Sequence, residues 1–389
     1  MRRRMKCCAQ VYAGMAVVIV AATLRADVAK FDTRIAADFT QADTNGVVWV
    51  DGRNLPLESK AFADADGYYG RMPSAIASKV SKGVAAMARH STGHYFIFVT
   101  DSPTLAIEWI LEEKEGRDPY IPPQGMYGVD IYCKGSAGWR FVKNGRLSRL
   151  DNPINMTTTM LPGKGMRPVI VYLPTRGIVK SIRVGFGKGA KLERYRHAGG
   201  VVKPVVHYGT SIVNGGSASR PGLCFTSIAG RTVDVPYVNL GFSGCARLEI
   251  EMAEALALID ASLYIVDPAW NCNTKMVHER CEKFLECLHR AHPETPILLC
   301  EGGEPAGRLP VNDAIREVYK KIVAGNSSLA KVVHFLPAEG MLQQDGESTH
   351  DYCHPNDYGS VQMGSVFSRA IGGILRSQGA LKPHGAIGN

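Results

Sequence analysis

The chain lacks the signatures of several functional classes. No C-x-x-C pair occurs among its ten cysteines, so no zinc-finger ligand spacing is available. No basic stripe interleaved with aromatics is present. The formal charge of +9 is concentrated at one end: Arg2, Arg3, Arg4, Lys6 and Arg25 lie in the first 26 residues, where no acidic residue stands, and without them +4 remains. That is no nucleic-acid footprint. Past residue 24, no apolar run is long enough to span a bilayer. Long helical periodicity is scarce in the first half, apart from a stretch around Ser74–Met87.

What remains is an ordinary globular composition, 45% apolar and 21% charged, with 389 residues available for two domains and a sizeable core. The N-terminus reads as an export signal, with Arg2 to Lys6 as a basic region and Val11 to Leu24 as a short apolar stretch. Cleavage is expected after Ala26, giving a periplasmic or extracellular protein. The alternative is a retained anchor. Eight cysteines follow: Cys133, Cys224, Cys245, Cys272, Cys281, Cys287, Cys300 and Cys353. An exported chain can form disulfides, but pairing is not deducible from sequence, and small buried thiols are the competing reading.

Residues 27–197 read as a β-sandwich domain. Eight short strands are expected, at Val47–Val50, His94–Thr100, Leu105–Leu111, Gly128–Cys133, Trp139–Val142, Met156–Met160, Val169–Leu173 and Ile178–Phe186, with turn signals such as Asn144-Gly145 between them. After a basic, turn-rich link from Lys188 to Lys203, strands and helices alternate. Strands are expected at Val205–Tyr208, Tyr237–Leu240, Leu263–Asp267, Ile297–Cys300 and Val332–Phe335. Helices are expected at Pro221–Gly230, Leu248–Ile259, Met276–His292, Val311–Ala324 and Tyr358–Arg376. This predicts an α/β domain over 198–379, a parallel sheet covered by helices on both faces, followed by a disordered tail at 380–389.

In such a sheet the loops after strands emerge at one edge, where ligands bind. The stretch His207-Tyr208-Gly209-Thr210-Ser211 is a strand, a turn and a serine at that edge. By itself it is weak evidence, because a serine after glycine more often bonds its own backbone. The other edge loops strengthen it. Gly241-Phe242-Ser243-Gly244 offers a backbone N–H unshielded by a side chain. Asn271 offers an amide. Asp351-Tyr352-Cys353-His354 supplies an acid and a base three residues apart. Acyl transfer needs a nucleophile, a base, an orienter and oxyanion donors. Ser211, His354, Asp351, and the trio of Ser211 N–H, Gly244 N–H and Asn271 fill those places. No metal or organic cofactor is required. The G-x-S-x-G elbow is not matched, since Val213 stands two after Ser211.

These blocks resemble the SGNH (GDSL-like) hydrolases. Gly209-Thr210-Ser211 resembles the first block, with Thr210 where most members carry Asp. Asn239 to Gly244 resembles the second, Asp267-Pro268-Ala269-Trp270-Asn271 the third, and Asp351 with His354 the last. The third block departs from the usual Gly-x-Asn-Asp, which leaves Asn273 as a substitute for Asn271. The resemblance implies a flavodoxin-like α/β/α fold. The stretch Ser91 to Ser102 resembles the β-sandwich that precedes one SGNH branch, whose relatives include carbohydrate acetylesterases. Implied in turn are a serine esterase and an acetylated glycan or small ester as partner. A general arylesterase, thioesterase or lipase-like acylhydrolase, and a non-catalytic carbohydrate-binding protein, are the alternatives. Trp270 is a candidate for stacking on a sugar and Arg220 for orienting substrate, each against a purely structural role.

Overall fold

The computed structural model describes residues 42–112, 120–145, 147, 148, 154–197 and 200–381. The expected signal segment lies outside the described residues. Fourteen strands and eight α-helices form two units around three sheets among the described residues.

The first unit is an antiparallel sandwich. One sheet holds β1 (Val47–Asp51), β8 (Val179–Gly187), β3 (Thr104–Leu111) and β6 (Ile154–Met160), in that order. The other runs β5 (Gly138–Asn144), β4 (Asp130–Gly135), β7 (Arg167–Tyr172), β2 (Tyr95–Thr100) and β9 (Leu192–Arg194). Inward residues such as Phe96, Phe98, Ile107, Trp109, Val169, Val184 and Phe186 fill the space between the sheets. All eight expected strands form. β9, which pairs antiparallel with β2, was hidden in the basic link.

The second unit is a five-stranded parallel sheet, in the order β11 (Tyr237–Gly241), β10 (Val205–Gly209), β12 (Leu263–Asp267), β13 (Ile297–Cys300), β14 (Val333–Leu336). That is the flavodoxin-like order 2-1-3-4-5. The helices α5 (Ile250–Leu256), α6 (Thr274–Ala291) and α7 (Pro310–Ala324) pack on one face. The helices α4 (Phe225–Val233) and α8 (Asp357–Ser377) pack on the other. Long apolar runs in the strands follow from burial on both faces.

Two expectations are corrected here. Ala380 and Leu381, expected to open a disordered tail, are placed: Leu381 is buried and its N–H bonds to the Leu375 carbonyl at 3.1 Å, while the rest of the expected tail lies outside the described residues. The unit boundary is not a clean cut at 197. Residues Ala61, Phe62, Met72, Ala77, Val84 and Ala88, placed in the sandwich by sequence, pack with Leu240, Phe242 and Met252 in the core of the parallel-sheet unit. The expected helix there is two short ones, α1 (Ser74–Val80) and α2 (Lys82–Ala88), divided at Ser81, whose hydroxyl caps α2 by accepting from the Val84 N–H. A short helix α3 (Pro123–Tyr127) precedes β4.

The outer face of the second sandwich sheet is also buried. Tyr95, Ile97, Tyr132, Ile170, Tyr172 and Tyr195 cluster on it. Tyr172 donates to the Ser227 carbonyl on α4 at 3.2 Å, and the Tyr237 N–H donates to the Tyr95 hydroxyl at 3.2 Å. The sandwich is thereby docked against α4 and the start of β11.

Candidate active site

β10 is buried throughout and ends at Gly209. A Cβ there would lie 2.4 Å from Val213 and 2.8 Å from the Asp267 carbonyl, so the turn after β10 can fold back only on glycine. The turn is closed by Asn214 N–H to Thr210 O at 2.9 Å and Gly216 N–H to Ser211 O at 2.8 Å. Ser211 sits in it, 7% exposed.

The loop between β14 and α8 brings His354 against it. Ser211 Oγ is 2.8 Å from His354 Nε2, and His354 Nδ1 is 2.7 Å from Asp351 Oδ2. The other Asp351 oxygen accepts the N–H groups of Cys353 at 3.0 Å and His354 at 2.7 Å. This wraps the loop tightly enough to force Tyr352 to φ +60°, a left-handed conformation that costs energy for a side chain of its size. Burial opposes ionisation of Asp351, but hydrogen bonds from the His354 N–H and ring and from Cys353 outweigh it and hold the carboxyl below its ordinary value. An ionised Asp351 fixes the proton on Nδ1 and leaves Nε2 to accept from Ser211. Gly216 gives the imidazole room, since a Cβ there would stand 3.0 Å from His354 Cδ2.

The neighbouring strands carry the other groups to the same edge. Gly209 is in register with Gly241 on one side and Asp267 on the other. Phe242 to Cys245 is a turn closed by a 3.0 Å bond, with Gly244 at φ +70° and open space where its Cβ would be. Asn271 ends a short 3-10 turn after β12. Its Oδ1 accepts the Ala246 N–H at 3.2 Å, which orients the amide and leaves Nδ2 without a partner among the described residues. Asn273 is occupied differently: it caps α6 by accepting the Met276 N–H at 2.9 Å.

Other expectations change. Arg220 is not free to orient substrate. Its Nη1 pairs with Asp130 at 2.9 Å and donates to the Tyr132 hydroxyl at 2.6 Å, and its guanidinium lies 3.9 Å from the Phe141 ring centre. Trp270 is half-buried and packed between the two helix-covered cores, with its Nε1 beside Gly302, instead of standing clear as a stacking surface. His207, which opens the stretch leading to Ser211, is fully buried among Phe225, Tyr237 and Phe367. All eight described thiols are unpaired. Burial and the Asp351 charge push Cys353 up to about 12, so it is a protonated thiol at neutral pH.

Sequence reasoning missed several groups that brace these loops. Asn239 donates to the Val213 carbonyl at 2.6 Å and accepts the Gly241 N–H at 2.9 Å, joining the β10 and β11 loops. Asp130, fully buried, also accepts the Gly222 N–H at 2.8 Å. Ser219 donates from its N–H and hydroxyl to Asp357 at 2.8 and 2.5 Å, tying this segment to the start of α8, three residues after His354.

A family model for GDSL-like lipases and acylhydrolases matches residues 202–372. Over those residues the chain is similar to the GDSL-like lipases and acylhydrolases. Residues 47–192 match a second model, GxDLY, the N-terminus of SGNH-type esterases. The pattern in its name stands here as Gly128-Val129-Asp130-Ile131-Tyr132, with Ile131 at the leucine, and was the signal that would have found Asp130 and Tyr132. No curated protein sequence matches the chain. Among solved structures, a Bacteroides ovatus protein designated a GDSL-like lipase is 27% identical with a TM-score of 0.76, over 85% of this chain and 98% of its own. The salicylyl-acyltransferase SsfX3 of a tetracycline biosynthetic pathway shares the fold at 18% identity and a TM-score of 0.60, over 87% of this chain and 92% of its own. A family two carbohydrate esterase from Clostridium thermocellum, solved with cellohexaose, shares it at 12% identity and a TM-score of 0.52, over 75% and 94%. The two units are thus similar to the two parts of SGNH-type esterases and acylhydrolases, and carbohydrate esterases share the fold.

Proposed function

We propose that the chain is a serine esterase that removes short acyl groups, acetyl foremost, from carbohydrate through an acyl-Ser211 intermediate. The observation that carries this is the unbroken line from Ser211 Oγ through the His354 ring to Asp351, at 2.8 and 2.7 Å. His354 Nε2 takes the hydroxyl proton as Ser211 Oγ bonds to the ester carbonyl carbon. The negative charge that forms on the carbonyl oxygen is met by the Ser211 and Gly244 N–H groups and the Asn271 Nδ2–H. Protonated His354 returns its proton to the departing alcohol oxygen, and the C–O bond breaks. Water, deprotonated by the same imidazole, then attacks the acyl-serine, which releases the acid and restores Ser211.

Acetyl is favoured because no lid or apolar insertion marks a long acyl pocket in the sequence. Carbohydrate is favoured by the carbohydrate esterases that share this two-unit fold. Among the described residues no helix is long and apolar enough to cross a membrane, and export of the chain rests on its N-terminal sequence. The test is release of p-nitrophenol from acetate, butyrate and octanoate esters by the wild-type chain and by Ser211→Ala, followed by acetylated polysaccharides. Turnover that favours acetate and vanishes in the variant is expected. Serine-independent turnover, or a preference for octanoate, would overturn the reading.

A further inference from the structure

Arg71 belongs to the first half of the chain, yet it ends at the edge of the hydrolase sheet. It is 1% exposed. Its Nη1 donates to the Gly241 carbonyl at 2.7 Å and lies 3.4 Å from the Asn239 carbonyl, and its Nη2 donates to the Met87 carbonyl at 2.8 Å. The guanidinium stands 4.6 Å from the centre of the Phe242 ring. Among the described residues no carboxylate contacts it. A buried cation held by carbonyls alone is an expensive element, and an apolar side chain of equal volume would generally stabilise the fold more.

Its position suggests what the expense secures. Gly241 opens the turn that presents Gly244, and its carbonyl also accepts from Asn214 Nδ2 at 3.3 Å. Asn214 is three residues after Ser211, and the same Nδ2 lies 3.0 Å from the Thr92 hydroxyl, which in turn donates to the Thr175 carbonyl. Two residues of the first half thus meet these loops: Arg71 at the Gly241 carbonyl, and Thr92 through Asn214, which bonds the same carbonyl. A Cβ on Gly241 would fall 2.2 Å from the Asn214 N, and one on Gly93 would fall 2.3 Å from the Asn239 Cβ, so the four segments touch without slack.

We propose that Arg71 is a positioning residue for ester hydrolysis: through the Gly241 carbonyl it sets the Gly244 turn against the Ser211 loop, and its uncompensated charge favours negative charge developing at that edge. This rests on the serine esterase reading above. A preorganised donor matters most in the transition state, so its misplacement should act on kcat more than on KM.

The experiment uses the full chain with Arg71→Met and Arg71→Lys, beside wild type and Ser211→Ala. Thermal unfolding, kcat and KM for p-nitrophenyl acetate, and the affinity of a methylboronic acid that mimics the oxyanion are measured for each. Expected for Arg71→Met is a kcat lower by about 30- to 100-fold, a KM within about twofold, and boronate affinity falling in step with kcat/KM. Arg71→Lys, which keeps the charge but not the forked donors, should recover part of the loss. A lower melting temperature with parental kcat and boronate affinity would overturn the proposal and leave Arg71 a purely structural clamp. If Arg71→Met does not fold, Arg71→Lys decides alone: a kcat reduced at least threefold with unchanged KM supports the proposal, and a parental kcat overturns it. Absence of serine-dependent turnover in the wild type would instead overturn the esterase reading itself.

Discussion

The two halves of the molecule divide the work unequally. Every group proposed for chemistry lies after residue 200: Ser211, Gly244, Asn271, Asp351 and His354. The first half of the chain contributes none of them, yet three of its charged contacts reach the loops or ends of the parallel sheet. Arg71 holds the Gly241 carbonyl. Asp130 and Tyr132 hold Arg220 and Gly222. His197 lies between Glu58 and Asp234, the residue just after α4. The lesson is that the first half serves as bracing for the second, and that removing bracing and removing chemistry should look different in measurement.

The sharpest break comes from the catalytic side. Asp351→Asn keeps the loop's size but supplies the wrong hydrogen-bond partner for Nδ1, so kcat should fall about 10⁴-fold with little change in melting temperature. Asn271→Ala removes one proposed oxyanion donor and should lower kcat roughly a hundred- to a thousandfold. A loss under about fivefold would rule out that role. On the bracing side, Arg220→Met strands the fully buried Asp130 carboxyl, whose proton affinity burial already raises. Urea unfolding should show a loss of about 3 kcal/mol, the low end for breaking a buried pair. Unchanged stability would mean that Asp130 and Arg220 do not brace the interface.

The smallest effect is a pH dependence. Burial alone would lower His197, but its bonds to Asp234 and Glu58 win and raise it from 6.5 to about 9. A histidine whose folded value is raised stabilises the folded state fully below about pH 6.5, and that contribution is lost as pH rises through about 9. It amounts to about 3 kcal/mol. His197→Gln should therefore be less stable than wild type in mild acid, with the gap closing in alkali. A gap independent of pH would show that the imidazolium is not what joins Glu58 to Asp234.

The same contrast governs what the sequence disclosed. The parallel sheet was legible because each strand is a short apolar run followed by a helix with a stripe such as Val277, Cys281, Phe284, Leu285 and Leu288. The sandwich strands were legible from their turn signals. The candidate site was legible because its residues fall in strand-end loops. The bracing was not. Arg71 bonds only to carbonyls, which carry no residue identity, and Arg220 finds Asp130 at a separation of 90 residues. β9 is only three residues long, too few for a period to show. Residues 61–88 carry apolar positions that fit either core, and only the tertiary structure assigns Ala61, Phe62, Met72, Ala77, Val84 and Ala88 to the second and Tyr69 to the first.

The central claim is a covalent acyl group on Ser211, and the most direct measurement is acid-quenched mass spectrometry of the full chain mixed briefly with p-nitrophenyl acetate. The account predicts that one acetyl group is added, that peptide mapping places it on Ser211, and that it is absent from Ser211→Ala and accumulates in a variant slowed in deacylation. Turnover with no acetyl group on Ser211 under any quench, or an acetyl group that persists in Ser211→Ala, would contradict it.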